Sequence, residues 1–136
     1  MPIKRVILDT NLWISFLIND SYKEIDHLIK NDQIKLIFSI ELLDEFIEVV
    51  NRPKFNKYFK DYDIIQLLNM FDDFAILVDV HSNLDLCRDK KDNFLLNLAK
   101  DSKSDYLITG DQDLLFLERI DNCKIIQYSN FLKEMN

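Results

Sequence analysis

Glycine and proline are nearly absent from this chain: one glycine, Gly110, and two prolines, Pro2 and Pro53, in 136 residues. Together the two types usually approach about 12% of a globular protein. All-β folds with many tight turns need both, so the shortage points to helices and strands joined by ordinary loops. One glycine also excludes a Gly-rich phosphate loop. No Gly-x-Ser-x-Gly elbow is present for a serine hydrolase. Histidine is as scarce: His27 and His81 fall in no metalloprotease spacing, and both are expected at the surface. Cys87 and Cys123 form neither a Cys-x-x-Cys pair nor a zinc spacing, which suits a reducing, cytoplasmic setting better than a secreted scaffold. No apolar run approaches the roughly 20 residues of a membrane span, and no signal peptide is expected at the N-terminus. Membrane contact is therefore not expected.

What is present is a core. Apolar residues make up 48% of the chain, and its length suits a single domain over residues 1–136. The formal charge of −7 argues against a broad nucleic-acid surface, because lysine and arginine dominate phosphate neutralisation. It leaves room for an enzyme that meets phosphate through metal ions and one local basic patch.

Apolar and β-branched runs predict five strands, at Ile3–Leu8, Ile34–Phe38, Ala75–Val80, Asp105–Thr109 and Lys124–Tyr128. Helical spacing predicts helices over 11–19, 22–30, 55–61, 62–74, from about 92, 111–117 and 129–135. Another begins after Ser39, a ready N-cap, and ends before Pro53. Ser129 is expected to cap the last helix. Strands alternating with helices give an α/β class: a three-layer α/β/α sandwich with a mainly parallel, about five-stranded central sheet.

Two of these strands run directly into carboxylates. Val6-Ile7-Leu8 stops on Asp9-Thr10-Asn11, and Tyr106-Leu107-Ile108-Thr109 stops on Gly110-Asp111-Gln112-Asp113. The C-terminal edge of an open parallel sheet is where ligands bind. Asp92, at a helix start, and Glu45, in the second turn of the helix after Ser39, are expected near the same edge. Four carboxylates gathered there would repel one another unless protons or divalent cations intervened. Oxygen donors of this kind suit Mg²⁺ or Mn²⁺, and such sites cleave phosphodiesters. Each acid also has a plainer role. Asp9 and either Asp111 or Asp113 can cap helices. Asp92 is favoured by a helix dipole with or without a metal, and Asp89 is an alternative ligand from the same loop. Glu45 shares a helical stripe with Glu41 and Glu48 that would also suit a solvated face. Gly110, the one glycine, suggests a backbone position closed to side chains or a close approach to something.

The ordered set of motifs resembles the PIN domain, a metal-dependent ribonuclease fold. The resemblance runs through Val6–Asn11, Ser39–Glu45, Cys87–Asn93 and Thr109–Leu115. Segments Asn51–Phe55 and Ile126–Leu132 resemble a subgroup described as toxin components of toxin–antitoxin pairs. Lys90 and Lys91 stand where relatives often carry proline or further acids. The resemblance implies RNA cleaved with Mg²⁺ or Mn²⁺ to leave a 5′-phosphate. It assigns metal binding to Asp9, Asp92 and Asp111, with Glu45 binding the ion or orienting the attacking water. Asn11, Thr109 and Asp113 would support that shell, and Asp113 stays open as a ligand in place of Asp111 or beside it. Arg52, Lys54, Lys57 and Lys60 are candidates to track the RNA backbone, with Phe55, Tyr58 and Phe59 beside them; a solvated helix face and core or dimer packing are the plainer alternatives. A cognate antitoxin and a homodimer are the protein partners implied. Two rival readings remain at this level: a PIN-fold interaction module that no longer cuts, and a metal-dependent phosphatase of a small ester.

Overall fold

A computed structural model of the chain describes residues 2–19, 23–55, 57 and 75–135. Strand β1 (Lys4–Leu8) leads into helix α1 (Thr10–Asn19), followed by α2 (Lys23–Lys30), β2 (Ile34–Phe38) and α3 (Ile40–Val50). Next among the described elements come a 3-10 turn (Pro53–Phe55), β3 (Ala75–Leu77), a second 3-10 turn (Lys90–Asp92) and α4 (Asn93–Ser102). The chain then forms β4 (Tyr106–Ile108), α5 (Gln112–Leu115), β5 (Arg119–Ile120), β6 (Cys123–Ile126) and α6 (Tyr128–Met135). The helices expected over 55–61 and 62–74, with Tyr58, Phe59 and Lys60, lie outside the described residues apart from Phe55 and Lys57.

Among the described residues the sheet has six strands in the order β3-β2-β1-β4-β6-β5. Only the β5–β6 pair is antiparallel. The α/β class and mainly parallel sheet match expectation; the sixth strand does not. β5 is two residues long and turns back through Asp121, whose φ is +50°. A strand that short carries no hydrophobic period to read. Val6, Ile7 and Leu8, then Leu36, Ile37 and Phe38, are buried in unbroken succession. Successive strand residues point to opposite faces, so both faces of the central strands are covered.

Local chemistry sets several boundaries. Ser39 sits in extended backbone, and its hydroxyl accepts the Leu42 N–H at 3.1 Å, capping α3. The last helix starts one residue earlier than expected. The Gln127 carbonyl accepts from Phe131 N–H at 3.0 Å, so Ser129 falls inside the first turn rather than at the cap. Left-handed turns occur despite the missing glycines, at Asp32, Lys103, Glu118 and Asp121. At the N-terminal edge of the sheet, Asp105 accepts Arg5 N–H at 2.8 Å while Arg5 Nε donates to the Ser102 carbonyl at 2.9 Å. This pair of bonds clamps β1 beside β4.

That adjacency places the site. From β1 the chain builds outward to β2 and β3 on one side, then returns to build β4 and β6 on the other. Strand order therefore reverses between β1 and β4, and a crevice opens outside their C-terminal ends.

Candidate active site

Asp9 follows β1 at this crevice, and Thr109 follows β4 directly across from it. Leu8 pairs with Ile108 in the ladder, and Asp9 N–H extends it by donating to the Ile108 carbonyl at 3.0 Å. The Thr109 hydroxyl then donates to Asp9 Oδ2 at 2.7 Å, while Asp9 Oδ1 accepts Asn11 N–H at 3.1 Å. Asp9 is nearly buried. It caps α1 through one oxygen and is fixed across the switch point through the other, so the capping role and a place in the crevice coexist. Thr109 also receives Asp111 N–H at 3.1 Å, which ties both strand-end acids to one hydroxyl.

Asp92 arrives from a different direction. The irregular stretch before it is held against one face of α4 by three polar side chains spaced four residues apart. Asn93 Oδ1 accepts Cys87 N–H at 2.9 Å, Asn97 Oδ1 accepts Leu84 N–H at 2.7 Å, and Asp101 Oδ2 accepts His81 and Ser82 N–H at 2.6 and 2.7 Å. The hydrogen bonds from Ser82 hold the Asp101 carboxyl below its usual range. Asn93 Nδ2 also donates to Asp85 at 3.1 Å. This zipper was not anticipated, although the i, i+4, i+8 spacing of Asn93, Asn97 and Asp101 is visible in the sequence. Asp89 accepts Lys91 N–H at 3.1 Å and so caps the 3-10 turn that delivers Asp92.

The Asp92 carboxyl is pushed up to about 7. Burial is the largest cause, followed by a shared hydrogen bond with Asp111 and then by the charges of Asp111, Asp89 and Asp9. Its Oδ2 is buried with no hydrogen-bond donor. Asp92, Asp111 and Asp9 thus share one electrostatic neighbourhood. Glu45 is tied to the residue after Asp9 by a separate bond: Thr10 Oγ1 donates to Glu45 Oε2 at 2.6 Å. Thr10, buried one residue past Asp9, is a positioning residue that sequence reasoning missed.

The two acids after β4 are sorted by their partners. Asp111 accepts Asp113 N–H at 2.8 Å, capping α5, and faces Asp92. Asp113 instead lies 3.4 Å from Arg88 Nε. Gly110 corrects an expectation. Its φ is not positive, and an added Cβ would meet nothing within 4 Å. The glycine faces open space, lining a cavity of about 270 Å³ with Asp9, Asn11, Leu12 and Asp111. Arg52 and Lys54, past the end of α3, make local contacts: Arg52 lies 3.8 Å from Glu48, and Lys54 sits 5.1 Å above the Phe55 ring. His27 and His81 are exposed as expected. Both thiols are free and buried, and burial pushes Cys123 up to about 12. Cys87 is also raised, by burial first and then by the charges of Asp92, Asp111 and Asp113.

A family model described as PIN domain matches residues 5–113, most of the chain. The chain belongs to the PIN domain family. An uncharacterised protein of Methanocaldococcus jannaschii is 33% identical over 129 residues, covering 93% of this chain and 81% of that protein. PIN domains are in general nucleases, hydrolases that typically use divalent metals, so the family gives this chain a nuclease-type function. Among the described residues no helix is long and apolar enough to cross a membrane.

As placed, no group of three or more Asp, Glu, His or Cys side chains among the described residues forms a ready coordination sphere in this PIN domain. The donor chemistry nevertheless fits a cation. A buried carboxylate oxygen of Asp92 lacks a donor, and the Asp92 proton is retained to near neutrality by burial first and then by Asp111 and neighbouring negative charge. A hard divalent ion relieves both conditions at once, since it supplies positive charge and prefers carboxylate oxygen.

Proposed function

We propose that this PIN domain is a metal-dependent endoribonuclease that hydrolyses RNA phosphodiester bonds with Mg²⁺ or Mn²⁺. The observation that carries the reading is Asp92, which has a buried oxygen without a donor and shares an electrostatic neighbourhood with Asp111 and Asp9. Asp9, Asp92 and Asp111 would hold the ion, with Glu45 completing the shell or orienting the attacking water. A bound divalent ion lowers the pKa of water and stabilises charge on the leaving oxygen.

The chain's own residues position the rest. Thr109 holds Asp9 in one rotamer and Asp111 in register. Thr10 holds Glu45. Asn11 presents an exposed amide at the cavity rim, suited to a phosphate oxygen or the attacking water. Asp113, paired with Arg88, supports Asp111 rather than replacing it. Arg52 and Lys54 lie just past the end of α3, the helix that carries Glu45, and suit flanking phosphates. Water attacks phosphorus, the 3′-oxygen departs, and the downstream product keeps the 5′-phosphate.

The test is cleavage of end-labelled RNAs with Mn²⁺ or Mg²⁺, compared with the same protein in chelator. Cleavage to 5′-phosphate ends only with metal is expected. An intact RNA panel in both metals, with turnover of a small phosphate ester, would replace the reading with a phosphatase.

A narrower assignment follows the subgroup resemblance of Asn51–Phe55 and Ile126–Leu132: the toxin of a type II toxin–antitoxin pair, acting on cytoplasmic RNA and silenced by a cognate antitoxin. Induced expression is expected to arrest growth, and co-expression of the adjacent gene product to restore it. Unchanged growth at high expression would remove the toxin assignment and leave the ribonuclease reading standing.

A further inference from the structure

A second, larger cavity of about 650 Å³ opens on the other side of Asp113, between Leu86–Arg88 and the stretch from Gln112 to Leu117. Phe116 is 84% exposed there and Leu86 53% exposed. The Phe116 backbone is nonetheless fixed: it ends α5, and its N–H donates to the Gln112 carbonyl at 2.9 Å. An exposed aromatic side chain on a fixed backbone, lining the same cavity as a second exposed apolar side chain, offers a face for a flat ligand.

Two observations bear on what it binds. The cavity is continuous in chain with the acids, since Leu86–Arg88 runs into Asp89–Asp92 and Asp113 lines its wall. Arg88 stands at its edge with its side chain 87% exposed and only Nε directed at Asp113, which leaves the guanidinium fork open to an anion. A flat ring, an aliphatic wall and an adjacent cation together make a slot for a base and its phosphate.

We infer that this groove seats an unpaired nucleobase next to the cleaved phosphodiester, stacked on Phe116, with its flanking phosphate held by Arg88. The inference rests on the ribonuclease reading and deepens it by assigning a base subsite to Phe116 and a phosphate contact to Arg88.

The test measures equilibrium binding of the full chain to fluorescein-labelled single-stranded and duplex RNA in Mg²⁺. All variants are made on an Asp9→Asn background so that the RNA stays intact. F116A is expected to weaken single-strand binding by about 5- to 150-fold, and F116W to retain it. One abasic unit at a single RNA position should erase the effect of F116A. R88A should flatten the salt dependence by about 0.7 in log–log slope, the share of one phosphate on a single strand. Thermal melting checks that F116A folds, as a solvent-facing ring allows. Undiminished single-strand binding by F116A overturns the inference, as does loss of a co-expressed protein partner with RNA binding intact. A native chain that neither binds nor cuts RNA defeats the ribonuclease reading first. F116A made separately in the native Asp9 chain, cutting RNA normally, defeats the groove alone.

Discussion

Asp9→Asn is expected to lower metal-dependent RNA cleavage by about 10³-fold while leaving the fold intact. The two effects separate because Asp9 does two jobs with two oxygens. Oδ1 caps α1 through Asn11 N–H. Asparagine caps helices about as well as aspartate, so that bond survives. Oδ2 accepts from Thr109 and faces the crevice. An amide nitrogen there can neither accept that hydroxyl proton nor bind a cation. Losing one anionic ligand from a metal site removes several kcal/mol of charge stabilisation, and about 4 kcal/mol corresponds to 10³-fold. The stability cost is about 1 kcal/mol for one altered hydrogen bond, offset in part by less repulsion with Asp92. Single-turnover cleavage and a melting curve measure the two together. Native-like cleavage by the variant would show that Asp9 is not a ligand.

Asp92→Asn is expected to stabilise the metal-free protein above neutral pH while destroying its response to metal. The folded Asp92 carboxyl is raised from the ordinary 3.8 to about 7, chiefly by burial and by Asp111. The native state therefore holds this proton more tightly than the unfolded chain does. Its contribution favours folding at low pH and is lost as pH rises through about 7. Asparagine carries no charge, so its contribution stays constant across that window. Metal-free native protein should lose melting temperature relative to the variant between about pH 4 and 7, with a constant offset above that. Added Mn²⁺ should restore it only in the native chain, by RT ln(1 + [L]/Kd), about 2.7 kcal/mol at a hundredfold excess over Kd. The same competition makes metal affinity fall as pH drops below about 7. Parallel pH profiles for the two proteins, or an Mn²⁺ shift retained in the variant, would refute this account of the site. Instability of this kind is common where charge is concentrated for function.

The corrections to the sequence reading share a cause. β5 is too short to show a period, and its pairing with β6 is a turn effect at Asp121. Gly110 draws attention as the one glycine, yet its backbone is ordinary, and the left-handed positions went to Asp32, Lys103, Glu118 and Asp121. Ser129 has the side chain of a cap, but the helix takes its first carbonyl from Gln127. In each case residue type signals a propensity, and neighbouring backbone geometry decides whether it is used.

By itself the sequence determined what depends on local periodicity and local chemistry: an α/β chain, the strands at Ile34–Phe38 and just before Asp9 and Thr109, the Ser39 cap, and acids at strand and helix ends. Those features act over a few residues, where sequence and backbone are directly coupled. Only the tertiary structure decided which acids share an environment. Thr109 and Asp9 are 100 positions apart, and β1 meets β4 through a sheet order that no local pattern encodes. It also separated Asp111, facing Asp92, from Asp113, facing Arg88, and joined Glu45 to Thr10. Burial and the field of distant charges set the Asp92 proton, and both exist only once the chain has closed on itself.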